Sequence, residues 1–399
     1  MSDGTSGAWM KELDYLRAFA ILGIVAIHVG AFSASISYPN IITPVTEFIA
    51  HFSDFGIPLF FFVSGFILTV RYSDGGRRDG FYRRRLRSIV PPYLLFSTAY
   101  IIYAYVALGQ TSLYRAAWSY LLFDATGILW FLAAILQMYL LFPFLSAWLG
   151  RLDAKGQAWR MVLYAVLLYV AWYAFLEQAT GDILNSAWQP VPDFGGIVAG
   201  RLFPGFLLFF VLGMYIARTA ASSRKAILSL SQTAMIVPLL LGAVGLQLLG
   251  SGFWWEMAVV PYSLVASALL LRLSRWLAAR PGPLSLGMAT IGRYSFGIYI
   301  AHILVMALVV NRLWALGLWA GDALFYILLY PLTIGLCILG LWALNILPFG
   351  PTLSGVKRSA RGRRPRREGE RPPDPVEGQW SAPVKAPGAD ERSPFINEW

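Results

Sequence analysis

The sequence predicts an all-α protein, a polytopic integral membrane helix bundle of about ten transmembrane helices. Hydrophobic residues make up 57% of the 399 residues and charged residues only 13%, a composition outside the range of soluble domains. Many apolar stretches are long enough to cross a hydrocarbon core about 30 Å thick. Basic and acidic loops also alternate along the chain. We therefore expect one transmembrane domain over residues 1–349, with both termini in the cytoplasm.

Hydropathy places the ten spans near residues 14–34, 48–70, 87–108, 129–149, 160–178, 199–217, 228–250, 254–272, 288–311 and 324–347. Loops after the second, fourth, sixth and eighth spans are basic, whereas the opposite loops carry acids, so the positive-inside rule places the basic loops in the cytoplasm. The first span resembles a secretory signal near Ala34. We expect it to stay uncleaved, because the apolar run is long and further spans follow.

Residues 350–399 are predicted to form a disordered, basic and Pro-rich cytoplasmic tail, because they hold too few apolar residues to pack. Its arginines would contact anionic lipid or simply reinforce the topology. The net charge of +11 resides in loops and tail, so we expect no nucleic-acid partner. The one cysteine, Cys337, excludes an intrachain disulfide and a multi-cysteine metal site. We expect no bound metal, and the sequence does not indicate an oligomeric state.

Arg17 and His28 lie inside the first span with ten residues between them. On an α-helix they share one face and lie roughly 16 Å apart. Ionisable groups inside a membrane are costly and usually mark a substrate path or a reaction centre. The alternative is a snorkelling arginine and a histidine satisfied by a neighbouring helix.

Three further features join this pair. Ser64 and Gly65 in the second span permit a close helix contact and place a hydroxyl within the membrane. Arg83, Arg84, Arg85 and Arg87 precede the third span and suit a phosphate clamp, although a cluster that only fixes topology would look the same. His302 is predicted to lie at a depth close to that of His28.

At these residues the chain resembles the acyltransferase-3 family of integral-membrane acyltransferases over most of residues 11–347. The resemblance is carried by Arg17 and His28, Leu59-Phe60-Phe61-Phe62-Val63-Ser64-Gly65-Phe66, Arg83–Arg87 before Pro91-Pro92-Tyr93, Leu129-Trp130-Phe131-Leu132, Tyr139-Leu140-Leu141-Phe142-Pro143 and Tyr294-Ser295-Phe296-Gly297-Ile298-Tyr299-Ile300-Ala301-His302.

The resemblance implies a membrane O-acyltransferase of the bacterial cytoplasmic (inner) membrane. Such an enzyme moves an acyl group, usually acetyl from acetyl-CoA, onto a cell-surface glycan or a lipid-linked sugar. Many relatives carry an acid where this chain has Pro58, and often a histidine where it has Ile128. Pro58 suits the branch resembling enterobacterial common antigen acetyltransferases and polysaccharide-adhesin exporters. An exporter or flippase of a polysaccharide or lipid-linked sugar is therefore the alternative function, and a scaffold protein is a third.

The resemblance makes Arg17 and His28 the functional pair, and we expect acyl-CoA as a donor substrate with no permanently bound cofactor. The predicted donor-binding residues are Arg83, Arg84 and Arg87, with Ser64 and Tyr299 as candidates for hydrogen bonds to the reacting carbonyl. His28 would act as a general base, and a covalent acyl-histidine stays open as an alternative.

Candidate residues on the acceptor side are His302, Asp182, Trp188 and Asp193, the last three in a predicted outer loop where carboxylates and an aromatic ring suit sugar binding. Glu47, His51 and Asp54 have helical spacing at the outer end of the second span. They are predicted to form an interfacial polar cap, with sugar binding or a metal as the alternatives.

Overall fold

The computed structural model describes residues 4–36, 42–72, 80–109, 112–219 and 233–356, which contain helices and no strand. A π-helical turn, Trp172–Leu176, joins the seventh helix to the eighth. The helices are α1 (Gly4–Ala34), α2 (Ile42–Phe52), α3 (Gly56–Tyr72), α4 (Phe81–Leu108), α5 (Leu113–Leu121), α6 (Trp130–Asp153), α7 (Trp159–Ala171), α8 (Glu177–Ala187), α9 (Phe194–Ala199), α10 (Pro204–Arg218), α11 (Thr233–Leu249), α12 (Phe253–Ala278), α13 (Pro283–Ala315), α14 (Ala323–Ile346) and α15 (Gly350–Ser354).

Nine segments of the described chain are helical, long and apolar enough to cross a membrane, and the shorter helix Met235–Leu249 supplies a tenth apolar segment. The predicted polytopic helix bundle is thereby confirmed. Ion pairs join helix ends that the alternating topology places together. Arg218 at the end of α10 lies 3.9 Å from Asp153 at the end of α6, and Arg275 near the end of α12 lies 3.5 Å from Glu12 of α1. We call this arginine-rich end the inner end and the opposite one the outer end.

Glycines set the closest helix contacts. A Cβ atom at Gly65 of α3 would collide with the carbonyl oxygen of Phe210 in α10, and one at Gly213 of α10 would collide with the carbonyl of Phe62. The two helices therefore pack backbone to backbone, which small residues allow. In lipid, helices are held together by such packing and not by the exclusion of water. This is the close helix contact that Ser64 and Gly65 predict.

The second span is broken into two helices at residues 53–55, where short-range hydrogen bonds replace the α-helical ladder. Gly23 of α1 faces the Ser53 carbonyl at this break, with a potential Cβ only 3.2 Å from that oxygen. The break places Asp54 at the outer end of the bundle core, where its side chain is only 10% exposed.

The packed chain continues past residue 349, the predicted end of the transmembrane domain. The short helix α15 packs against α14 and α4, and Ser354 and Val356 are buried. The predicted disordered tail otherwise falls on residues 357–399, which lie outside the described residues.

The α3–α10 contact predicts opposite effects for two glycine substitutions. We expect Gly65→Ala to destabilise the protein by about 2 kcal/mol or more, because the methyl group forces the two backbones apart. Gly340→Ala in α14 is the control, since nothing lies within 4 Å of its potential Cβ, and alanine favours a helix. Thermal denaturation in detergent, followed by size-exclusion chromatography, compares the two. Equal midpoints would show that the contact is not structurally important.

The orientation of the bundle in the membrane stays a prediction that reporter fusions can test. A reporter after Lys155, in the short loop between α6 and α7, should signal from the cytoplasm. A reporter after Gly317, between α13 and α14, should signal from the other side, because the basic loops are retained inside. Signals from the same side would refute the topology.

Candidate active site

Two histidines from distant parts of the sequence meet inside the bundle. The ring centroids of His28 on α1 and His302 on α13 lie 5.1 Å apart, with the ring planes tilted by 43°. His302 is fully buried and His28 is half-buried. The two helices can approach because Gly292 of α13 lies directly against the backbone of Asp14 in α1. We call His28 and His302 the histidine pair.

The hydrogen bonds of His302 define its tautomer. Nδ1 lies 2.7 Å from the carbonyl oxygen of Tyr299 and 3.2 Å from that of Ile298. Carbonyl oxygens only accept hydrogen bonds, so Nδ1 carries the proton and Nε2 carries a lone pair. Nε2 is buried and has no hydrogen-bond partner among the described residues. His302 therefore offers an unused acceptor beside His28.

Two tyrosines hold the turn of α13 that carries His302. The Tyr299 hydroxyl donates to the carbonyl of Ile128, and its ring lies 5.0 Å from that of Phe131 and 6.0 Å from that of His302. The Tyr100 hydroxyl of α4 donates to the Ile300 carbonyl at 3.0 Å. Since its proton is already engaged by Ile128, Tyr299 is better suited to positioning His302 than to contacting the reacting carbonyl.

Arg17 lies on α1 towards the inner end, and its Nη1 is 3.2 Å from Oδ1 of Asp14. Its side chain is 35% exposed, so it can reach a ligand as well as Asp14. The intervening helix places its Cα roughly 16 Å from that of His28. Ser64 is half-buried on α3, one residue before the glycine contact with α10.

The basic residues at the start of α4 divide into two groups. Arg83, Arg84 and Arg87 are exposed and share one helix face by their spacing; we call these three the arginine cluster. Arg84 also donates to the Tyr72 hydroxyl at 3.5 Å. Arg85 instead turns inward, where its guanidinium lies 5.1 Å from the ring centre of Tyr139. The arginine cluster can therefore bind an anionic ligand, whereas Arg85 packs against Tyr139.

The structure separates His302 from the other predicted acceptor-side residues. Trp188 is 57% exposed and packs edge-on against Phe194. Asp182 and Asp193 are exposed and line a cleft of about 330 Å³ at the outer end. These three residues thus form an outer surface, while His302 belongs with His28 in the core.

A larger cavity of about 590 Å³, which sequence reasoning missed, opens at the outer end. We call it the outer cavity. Its wall combines three acids, Asp54, Glu177 and Glu256, with Arg201 and several aromatic rings. The run Phe253-Trp254-Trp255-Glu256, an acid beside aromatics at a span end, is the signal that could have found it.

His51 and Asp54 do interact, with Nδ1 of His51 3.0 Å from Oδ2 of Asp54. Asp54 also lines the outer cavity, whereas His51 does not. Within the described ranges, no group of three or more His, Cys, Asp or Glu side chains is arranged to hold a metal ion.

Comparison with known proteins identifies the class. The family model described as an acyltransferase domain matches residues 10–342, so the chain belongs to this family, and the resemblance seen in its motifs is confirmed. Together with the helix bundle, this makes the protein a multi-pass membrane acyltransferase.

The chain is similar to a protein of Bacillus subtilis (strain 168) named "Putative membrane-bound acyltransferase YfiQ". The two are 22% identical over 358 residues, which cover 86% of this chain and 93% of the relative. No solved structure matches the chain.

Proposed function

We propose that this acyltransferase moves an acetyl group from cytoplasmic acetyl-CoA to a hydroxyl of a cell-surface glycan or lipid-linked sugar, across a bacterial cytoplasmic membrane. The observation that carries the proposal is the histidine pair, with an unused imidazole acceptor buried at the centre of the bundle. Its position lies between the exposed arginine cluster at one end and the outer cavity at the other.

His28 is the proposed general base. Neutral His28 accepts the proton of the acceptor hydroxyl as its oxygen attacks the thioester carbonyl. The C–S bond then breaks, and the thiolate of CoA leaves with the proton that His28 returns. A centroid separation of 5.1 Å lets a ring nitrogen of His28 donate to Nε2 of His302 once the two face each other. That hydrogen bond would orient His28 and stabilise its charged form. In other acyl-transfer sites a third residue orients the general base in the same way.

The donor would approach from the inner end. Acyl-CoA carries phosphates at one end and its thioester at the end of a long flexible arm, so the two ends need separate sites. The arginine cluster supplies exposed guanidinium groups for the phosphates, since planar guanidinium matches phosphate oxygens in pairs. Arg17 lies on the route along α1 towards His28 and suits a phosphate or an amide of the arm.

The acyl-transfer proposal is tested first at the histidine pair. His28→Gln should lower acyl transfer by about a hundredfold or more, the usual contribution of a general base, while leaving donor binding intact. His302→Gln should cause a smaller loss, because it only orients the base. Radiolabelled acetyl-CoA is supplied to membranes, and the label in the glycan fraction is counted.

Thr333→Val is the matched control for a buried polar substitution, since the Thr333 hydroxyl only donates to its own helix, at Leu329. Wild-type labelling in the His28→Gln protein would refute the catalytic assignment. If that variant instead stops export of an unmodified glycan, the exporter function takes its place.

The donor site is tested separately. Replacing Arg83, Arg84 and Arg87 together by Gln should weaken acetyl-CoA binding at least tenfold, because charge-assisted hydrogen bonds to phosphate are each worth about 1.5–3 kcal/mol. Arg160→Gln is the control, as this exposed inner-end arginine stacks on Trp159. Isothermal titration of the purified proteins measures both. An unchanged affinity in a correctly inserted triple variant would assign the cluster to topology alone.

A further inference from the structure

The outer cavity has the size and wall of a small-molecule site. Its volume of about 590 Å³ falls within the range of about 300–1,000 Å³ typical of ligand pockets. Trp130 and Trp255 contribute aromatic rings to the wall, and Asp54, Glu177 and Glu256 contribute acceptors. Aromatic faces combined with directional polar groups suit a ring that is apolar on one side and hydroxylated at its edge.

The acids converge from three separate segments of the chain. Glu256 lies in the first turn of α12, and its Oε2 accepts a hydrogen bond from the Tyr169 hydroxyl at 3.1 Å. Asp54 sits at the break of the second span. Glu177 follows the π-helical turn, whose wider winding keeps Tyr169, Tyr173 and Glu177 along one wall. π-helical turns of this kind are frequent at functional sites.

Sugar hydroxyls suit the polar groups of this wall. The carboxylates of Asp54, Glu177 and Glu256 accept hydrogen bonds, and each sugar hydroxyl can donate one. Several hydroxyls of one ring can therefore engage the acids at once.

The charge of the wall restricts the ligand further. Arg201 is the one cation among the described residues that line the cavity. Its Nη2 already lies 2.5 Å from Oδ1 of Asp124, so its charge is compensated. A ligand carrying a carboxylate would meet three acids without an uncompensated cation on the wall, and burying an unpaired charge is strongly unfavourable.

The outer cavity is also close to the histidine pair. Ile27, the neighbour of His28, lines it, as does Gly127, the neighbour of Ile128. The Ile128 carbonyl accepts the hydroxyl of Tyr299, whose ring contacts His302. The cavity and the pair therefore share a wall made by α1 and by the residues that precede α6.

Building on the function proposed above, we infer that the outer cavity binds the sugar ring bearing the acceptor hydroxyl and selects neutral or amino sugars over acidic ones. The exposed Asp182, Trp188 and Asp193 then lie outside this site.

Cysteine protection tests the site without knowledge of the natural acceptor. Cys337 is buried, and Cys337→Ser gives a background without thiols, because the chain has one cysteine. Phe253→Cys then places a thiol on the cavity wall. Trp254→Cys is the matched control, since the adjacent side chain is 71% exposed and does not line the cavity. Labelling by a polar maleimide is timed in full-length protein in lipid nanodiscs.

Three phenyl β-D-glycosides serve as probes, the glucoside, the glucosaminide and the glucuronide. We expect the first two to slow labelling of the Phe253→Cys protein at concentrations at least tenfold below that needed for the glucuronide. Labelling of the Trp254→Cys protein should not change. Adding Glu256→Gln to Phe253→Cys should narrow the difference between the glycosides severalfold, because it replaces an acid of the wall by a neutral amide but keeps an oxygen for Tyr169.

Three results would overturn the inference. Absence of protection in the Phe253→Cys protein, or equal protection in the Trp254→Cys control, would overturn the site. Equal protection of the Phe253→Cys protein by the glucuronide would overturn the selectivity.

The outcome is distinguishable from failure of the proposed acyl transfer. If His28→Gln abolishes glycan labelling but no glycoside protects the Phe253→Cys protein, the cavity assignment is wrong and the enzyme proposal stands. If the glycosides protect that thiol while His28→Gln retains wild-type acylation, the sugar site stands and the catalytic assignment is wrong.

Discussion

Gly292 allows the backbone of α13 to rest against that of α1, and the geometry of the candidate site depends on this contact. It fixes the separation of the two helices near their inner ends, and the rings of His28 and His302 lie beside each other further along them. A larger residue at position 292 would separate the helices and with them the two imidazoles. The site is therefore held by backbone packing rather than by a strong polar bond between its members.

The membrane environment explains the supporting hydrogen bonds. Without water, each polar group must find a partner inside the protein. Tyr100 and Tyr299 donate to carbonyls on α13 and before α6, and His302 donates to carbonyls of its own helix. These bonds lock the orientation of the His302 ring and leave Nε2 as its unused atom. Among the described residues this nitrogen has no hydrogen-bond partner, whereas both tyrosine hydroxyls have one.

Several features of this architecture could be predicted from the sequence. Hydropathy located the apolar segments because each span is continuous in sequence, and the Arg17–His28 spacing follows from a single helix. His302 was expected at a similar depth to His28, but its contact with His28 depends on how α1 and α13 pack. The outer cavity was not predicted, since Asp54, Glu177 and Glu256 are brought together by a helix break, a π-helical turn and the start of α12. No periodicity in one segment encodes such a convergence.

The π-helical turn at Trp172–Leu176 has a consequence for how such a protein can diversify. A residue added to a regular α-helix rotates everything beyond it by about 100°, whereas a π turn accommodates the extra residue locally. The turn therefore lets Glu177 and α8 keep their direction while α7 keeps its packing against α10. The segment can lose one residue at this turn without re-aiming the wall of the outer cavity or disturbing the helices that carry the histidines.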